Sequence, residues 1–182
     1  DEKTYAMIQA ADTVGSFQIE SRAQMATLPR MKPACFYDLV VQVAIIRPGP
    51  IAGDMAHPFL RRRLGREAVT YPHPSLIPVL KRTLGVPLFQ EQLLRMVMIA
   101  ASFTGGEAEE LRRAIDFKRS VERMQLIEGK LRRGLQANGI QGEAEEKIVK
   151  AVTSFALFGF PESHSASFAL IAYSSSYLKA HY

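Results

Sequence analysis

The chain has 182 residues, of which 47% are hydrophobic and 9% aromatic, and it carries a formal net charge of +5. Such a length allows one large domain or two small ones, and the apolar fraction excludes an intrinsically disordered chain. The longest apolar runs, at 39–46 and 93–101, fall far short of the roughly 20 residues that span a bilayer, which excludes a transmembrane protein. The single cysteine, Cys35, cannot form an intramolecular disulfide, which favours a reducing, cytoplasmic compartment.

Charge is distributed unevenly along the chain. Residues 61–133 carry 15 bases and 8 acids, whereas the segments 1–60 and 134–182 each have one more acid than bases. A basic block between near-neutral segments indicates a polyanion-binding surface, although a solvated helical surface rich in arginine explains the same pattern. The chain starts without an initiator Met and ends inside a helical pattern, so we expect it to be part of a longer protein.

The predicted elements of the first half are short helices, at 4–10, 19–28, 34–46, 55–65 and 75–82. The run at 39–46 fits either a helix or a buried strand, and the length of its segment together with Asp38 near the start favours a helix. The motif Arg47-Pro48-Gly49-Pro50 ends this element, because the residue before a proline avoids the helical conformation.

In the second half of the chain the sequence pattern predicts longer helices, at 90–102, 104–119, 121–137, 143–157 and 163–181. On the first of them the expected buried residues are Leu93, Leu94, Val97, Met98 and Ala101, with Met96 and Met98 as core filler. Thr104 and Glu107 match a capping box. The last helix is rich in small residues, which would let another helix or a base pair approach closely. The whole pattern predicts an all-α fold with at most minor strand content.

The helix at 104–119 carries its acids near the start and its bases near the end, which suits the helix dipole. Arg112 can pair with Asp116 at i+4, whereas Arg113 points about 100° away and has no acid at i+3 or i+4. An unpaired guanidinium among other bases suits a phosphate, which it binds through two hydrogen bonds. Helix stabilisation alone is the competing explanation.

His164 begins the helix rich in small residues, where exposed backbone N–H groups favour an anion, although a lone histidine more often has a structural role. No nucleophile with a neighbouring base, no metal-ligand spacing and no glycine-rich phosphate loop occurs in the sequence. Two-metal phosphoryl transfer needs clustered carboxylates, and the sequence has no Asp-x-Asp pair. If the chain serves nucleotide chemistry, it therefore supplies binding, and the metal site lies elsewhere.

Five motifs in order carry a family resemblance. They are Phe17-Gln18-Ile19-Glu20-Ser21-Arg22, Arg47-Pro48-Gly49-Pro50, Leu88-Phe89-Gln90-Glu91-Gln92, Leu111-Arg112-Arg113-Ala114, and Phe158-Gly159-Phe160 followed by Ser163-His164-Ser165-Ala166. Together they strongly resemble the bacterial C-family replicative polymerases, the alpha subunit of DNA polymerase III, over nearly the whole chain. The main replicative branch usually has Asn-Lys where this chain has Pro161-Glu162. In this respect the chain is similar to the error-prone, damage-inducible branch.

The resemblance implies a single helical fingers domain, with 1–60 next to the palm, 61–133 as the basic helical block and 134–182 as the C-terminal helices. It implies that the fingers bind the incoming deoxynucleoside triphosphate and help form the pocket around the nascent base pair. The residues it implies for the triphosphate are Arg112, Arg113 and His164, with Lys118 and Arg119 as further candidates. This chain reads Asp116-Phe117-Lys118-Arg119 where the main branch has a Gly-Lys-Lys-Lys run. The expected DNA contacts are Arg22, Arg47, Arg61, Arg62 and Arg63.

The partners implied are a DNA primer–template, the nucleotide, and the palm and thumb domains of the same chain. Mg²⁺ would be held by carboxylates of the palm, so these 182 residues alone are expected to be inactive. Two other classes remain as alternatives. One is a non-catalytic helical module that binds DNA through its basic block. The other is an enzyme for a small phosphorylated metabolite, disfavoured because no base, nucleophile or metal set is visible.

Overall fold

The structure is a computed structural model that describes residues 1–46, 58–117, 121–155 and 160–182. Within these ranges the regular elements are helices and no β-strand forms, so the predicted all-α fold is confirmed. Of the helices in these ranges, none combines the length and the apolarity that a bilayer crossing requires. The chain divides into two compact units, the first formed by Asp1–Ala68 with Phe160–Tyr182 and the second by Val69–Gly159. That both units make one fingers domain stays a prediction.

The helices follow the predicted order closely. They are α1 (Glu2–Gln9), α2 (Arg22–Met31), α3 (Phe36–Ile45), α4 (58–63), α5 (Ile77–Leu80, between 3₁₀ turns at Pro74–Leu76 and Lys81–Thr83), α6 (Gln90–Ala101), α7 (Gly105–Phe117), α8 (Val121–Ala137), α9 (Glu143–Phe155) and α10 (Glu162–His181). The ambiguous run at 39–46 is helical. The predicted helix at 75–82 is instead a 3₁₀–α–3₁₀ series in which prolines occupy the first turns.

The first unit is built around the contact between α3 and α10, with α1 also packed on α10. Along α3 every side chain from Leu39 to Ile45 is buried. One stripe of α10 is buried as well, and its residues are all small: Ser165, Ala169, Ala172 and Ser176. The hydroxyl of Ser165 donates to the backbone carbonyl of Val40 over 2.6 Å, which ties the two helices at close approach. These small residues therefore admit a neighbouring helix.

The second unit is organised around α6, on which α7, α8 and α9 pack. The buried side of α6 carries Leu93, Met96, Val97 and Ala100. Met98 was expected in this core, but this residue is 43% exposed. The expectation was wrong because Met98 lies on the face of the helix opposite to the buried stripe, whereas Met96 fills the core as predicted.

Candidate functional site

The helix α7 that carries the paired arginines is fixed at its first turn. Thr104 and Glu107 form the predicted capping box, with the Thr104 N–H donating to Glu107 over 2.7 Å and the Glu107 N–H donating to the Thr104 hydroxyl over 3.3 Å. Lys130 of α8 forms an ion pair with the same Glu107 carboxylate. The hydrogen bond from Lys130, together with the hydrogen bonds to Thr104, lowers the pKa of Glu107 to about 2. The direction of α7 is thus set by its own cap and by α8.

The Glu109 carboxylate accepts hydrogen bonds from both arginines. The Arg112 guanidinium donates to it twice, from Nε over 2.9 Å and from Nη2 over 2.7 Å, and Arg113 Nε donates over 3.3 Å. The expectation that Arg113 is unpaired was wrong, because its partner lies four residues before it on the helix and not after it. The side chain of Asp116, the expected partner of Arg112, lies outside the part of the chain that the structure describes.

Arg113 still presents its guanidinium to solvent. Hydrogen bonds from Arg112 chiefly lower the pKa of Glu109 to about 2, so this carboxylate is ionised at neutral pH. The Arg113 side chain is 67% exposed, so its guanidinium remains accessible to a further anion. Carboxylate and phosphate oxygens both accept the forked hydrogen bonds of a guanidinium. Glu109 thus occupies a position that suits an anionic group.

His164 lies in the first turn of α10, in the first unit, and contacts two aromatic rings. Its imidazole centroid is 5.5 Å from the ring of Phe160 and 4.2 Å from that of Phe168. The imidazole also lines an open depression of about 470 Å³ together with Ser163 and Ser167. No hydrogen bond joins the imidazole to another described residue. His164 thus contacts both rings while the residue itself stays exposed to solvent.

Arg112 and Arg113 belong to the second unit and His164 to the first. The two groups of residues are therefore described separately, and both their binding of a triphosphate and their convergence stay predictions. Lys118 and Arg119, the further candidates for this site, lie outside the described residues, as does Arg47.

Arg22 is exposed in the first turn of α2, directly after the N-cap Ser21, whose hydroxyl accepts from the Gln24 N–H. No ion pair joins its guanidinium to another described residue. A cation at this end of a helix opposes the helix dipole, so its position does not stabilise α2. The side chain is free to meet an anion, which agrees with its predicted contact to DNA.

The run Arg61-Arg62-Arg63 is bound within the first unit. Arg61 and Arg62 both pair with Glu67, over 2.8 and 2.9 Å. Arg63 instead pairs with Asp38 over 2.7 Å and donates to the backbone carbonyls of Met31 and Lys32. Of the three, Arg61 is the most exposed, at 54% of its side chain. DNA binding by this run stays a prediction, for which Arg61 is the best-placed member.

The sequence interpretation missed three residues of these sites. Glu109 is detectable from its spacing, because it precedes Arg112 and Arg113 by three and four residues. Phe160 and Phe168 lie one helical turn on either side of His164 in sequence, a spacing at which rings can meet. No signal in the sequence shows that both rings contact His164. Among the described residues, no three His, Cys, Asp or Glu side chains group so that they could hold a metal ion.

Comparison with known proteins defines the class. Residues 1–139 match the family model of the bacterial DNA polymerase III alpha subunit finger domain, and the chain belongs to this family. Over all 182 residues it is 59% identical to error-prone DNA polymerase 3 of Agrobacterium fabrum, and it covers 17% of that protein. It is also 57% identical to error-prone DNA polymerase 2 of Rhizobium meliloti and 54% identical to the error-prone DNA polymerase of Vibrio parahaemolyticus, covering 17% and 18% of them. The resemblance to the error-prone branch is confirmed.

Proposed function

We propose that this chain is the fingers portion of a DNA-directed DNA polymerase, a nucleotidyltransferase that works in error-prone synthesis. In this role Arg112 and Arg113 bind the triphosphate of the incoming deoxynucleotide, and the start of α10 around His164 contributes to the same pocket. The chain spans about one-sixth of the length of the relatives it matches, so the complete reaction involves residues beyond these 182.

The observation that carries this proposal is the arginine pair assembled on Glu109. Two guanidiniums share one carboxylate on a helix whose direction is fixed at its start, and Arg113 stays largely exposed. A triphosphate carries more negative charge than one carboxylate, and its oxygens offer more acceptors. The triphosphate can therefore accept hydrogen bonds from the Arg113 guanidinium in place of Glu109, while Glu109 still accepts those from Arg112.

Phosphoryl transfer also requires divalent metal ions, and the described residues do not fit such a site. We assign Mg²⁺ to carboxylates of the palm, in the part of the polymerase beyond this chain. The contribution of this chain is positioning and charge stabilisation, which are the main tasks of protein groups in phosphoryl transfer. The expected partners are the primer–template, the deoxynucleotide, and the palm and thumb of the same polymerase.

Arg113→Ala in the complete polymerase tests the triphosphate role. We expect the apparent dissociation constant for the deoxynucleotide in single-turnover incorporation to rise about tenfold or more, because a charge-assisted hydrogen-bond partner is lost. Arg113→Lys should recover only part of this loss, since an ammonium group cannot form the forked pair. The affinity for primer–template should change little.

Arg133→Ala is the matched control, because Arg133 is an exposed arginine of the same unit without an ion pair to a described residue. It should leave nucleotide binding unchanged. If Arg113→Ala instead weakens only DNA binding and lowers its salt dependence by about one unit, the alternative of a DNA-binding module is favoured. Normal incorporation kinetics in Arg113→Ala would contradict the proposed role.

A further inference from the structure

The Glu109 carboxylate binds its two arginines unequally. Arg112 donates to both carboxylate oxygens, from Nε to Oε2 over 2.9 Å and from Nη2 to Oε1 over 2.7 Å, which is the forked pairing of a guanidinium with a carboxylate. Arg113 donates only from Nε to Oε1, over 3.3 Å, and most of its side chain is exposed. Glu109 therefore holds Arg112 in a defined orientation and holds Arg113 loosely.

The fold of α7 does not depend on Glu109. The helix is capped by Thr104 and Glu107, and its buried side carries Ala108 and Leu111. The side chain of Glu109 is 40% exposed, and ion pairs three or four residues apart on the surface of a helix add little to its stability. The contacts of Glu109 therefore matter more for the placement of the two guanidiniums than for the helix.

A phosphate at Arg113 competes with the Glu109 carboxylate, because both accept from the same guanidinium. Hydrogen bonds from Arg112 chiefly lower the pKa of Glu109 to about 2, so protonation does not release Arg113 at neutral pH. An anion that takes the Nε donor of Arg113 must replace the bond of 3.3 Å. An exposed ion pair of this kind lowers the affinity of the anion by only about two- to fivefold.

We propose that Glu109 is a positioning residue of the triphosphate site and has two opposed effects. It keeps the Arg112 guanidinium in place for the reaction, and it competes with the nucleotide phosphates for Arg113. Glu109 therefore weakens the binding of the nucleotide and speeds the incorporation of the nucleotide once bound. This inference rests on the proposed function.

Glu109→Gln in the complete polymerase tests this role. Glutamine keeps the length of the side chain but removes its charge, and its amide has one acceptor oxygen where the forked pairing with Arg112 needs two. We expect the apparent dissociation constant for dATP in single-turnover incorporation to fall about two- to fivefold, and the inhibition constant of inorganic tripolyphosphate to fall by the same factor. The maximal rate of incorporation should fall about tenfold, because Arg112 loses its orientation. A damaged fold would instead weaken binding and slow incorporation together.

Glu110→Gln is the matched control, because it removes the same charge at the next position of α7. Glu110 is exposed and has no ion pair with another described residue, so both constants and the rate should stay unchanged. The double variant Arg113→Ala/Glu109→Gln completes a cycle. Its dissociation constant for dATP should equal that of Arg113→Ala alone, since no Arg113 is left to compete for, whereas the loss of rate should persist.

The inference is overturned if Glu109→Gln binds dATP no more tightly than the unsubstituted polymerase, or if its incorporation rate is unchanged. It is also overturned if the gain in affinity persists without Arg113, or if Glu110→Gln gives the same gain, which would show a general effect of net charge. The proposed function fails separately, because normal dATP binding by Arg113→Ala contradicts the triphosphate role whatever Glu109 does. If Arg113→Ala weakens binding and Glu109→Gln has neither effect, the triphosphate site stands and the role of Glu109 fails.

Discussion

Arg61, Arg62 and Arg63 are adjacent in sequence but meet different surroundings. Arg61 and Arg62 share Glu67, whereas Arg63 joins the end of α2 to the start of α3 through two backbone carbonyls and Asp38. Burial raises the pKa of Asp38, but hydrogen bonds from Arg63 and the Ala34 N–H outweigh it, so the net pKa lies below the usual range. The three adjacent arginines therefore have different structural roles.

Arg63→Ala is expected to loosen the first unit. The change leaves two carbonyls and a half-buried carboxylate without their donor, which should lower the free energy of local opening by about 2 kcal/mol. Hydrogen–deuterium exchange of the complete polymerase measures this, and amides of α3 should exchange at least about tenfold faster.

Arg61→Ala provides the comparison at the neighbouring position. Its ion pair is exposed, so α3 exchange should stay unchanged, while primer–template affinity should fall modestly if this arginine contacts DNA. Equal protection of α3 in both variants would show that Arg63 does not fasten the two helices.

At the scale of the helix, the crossing of α6 and α8 depends on the absence of a side chain. A Cβ atom added at Gly134 would collide with the backbone carbonyl and the Cβ of Ala101. Gly129, on the same helix, has only the end of the flexible Arg133 side chain nearby, at 3.8 Å from where its Cβ would be. The two glycines thus have opposite consequences for stability although they share a helix.

Gly134→Ala should destabilise the second unit by about 1–3 kcal/mol, because the two helix backbones must move apart. Gly129→Ala should stabilise it by about 0.5–1 kcal/mol through the better helix propensity of alanine. Amide exchange of α6 and α8 in the complete polymerase measures both. Protection that rises in both variants would mean that the close crossing does not form.

At the scale of the whole molecule, this chain spans about one-sixth of the length of its relatives. Its formal net charge is +5, and the excess of bases lies in residues 61–133. The isolated 182 residues should bind primer–template weakly and in a salt-sensitive way, since arginine contacts to phosphates release counterions. They should not extend a primer in the presence of Mg²⁺, because no carboxylate cluster for the metal ions occurs among the described residues. Robust extension in a gel-based assay would contradict the assignment of catalysis to the palm.

Local features were predictable from the sequence. The bounds of α8 match the predicted ones, the capping box of Thr104 and Glu107 is present, and α3 is a helix. Each of these depends on residues within a few positions of each other, so the sequence determines them through helix periodicity and capping. The pairing of Glu109 with both arginines belongs to the same class and could have been predicted from spacing toward the N-terminus.

Contacts between distant segments were decided only by the tertiary structure. The bond from Ser165 to Val40 joins residues 125 positions apart, and the bond from Phe17 to Ser175 joins residues 158 apart. The sequence showed that α10 has small residues and that Phe17 lies in a motif, but not which helix or ring each would meet. Such meetings depend on the path of the whole chain, because burial of apolar surface is not directional and does not by itself select a partner.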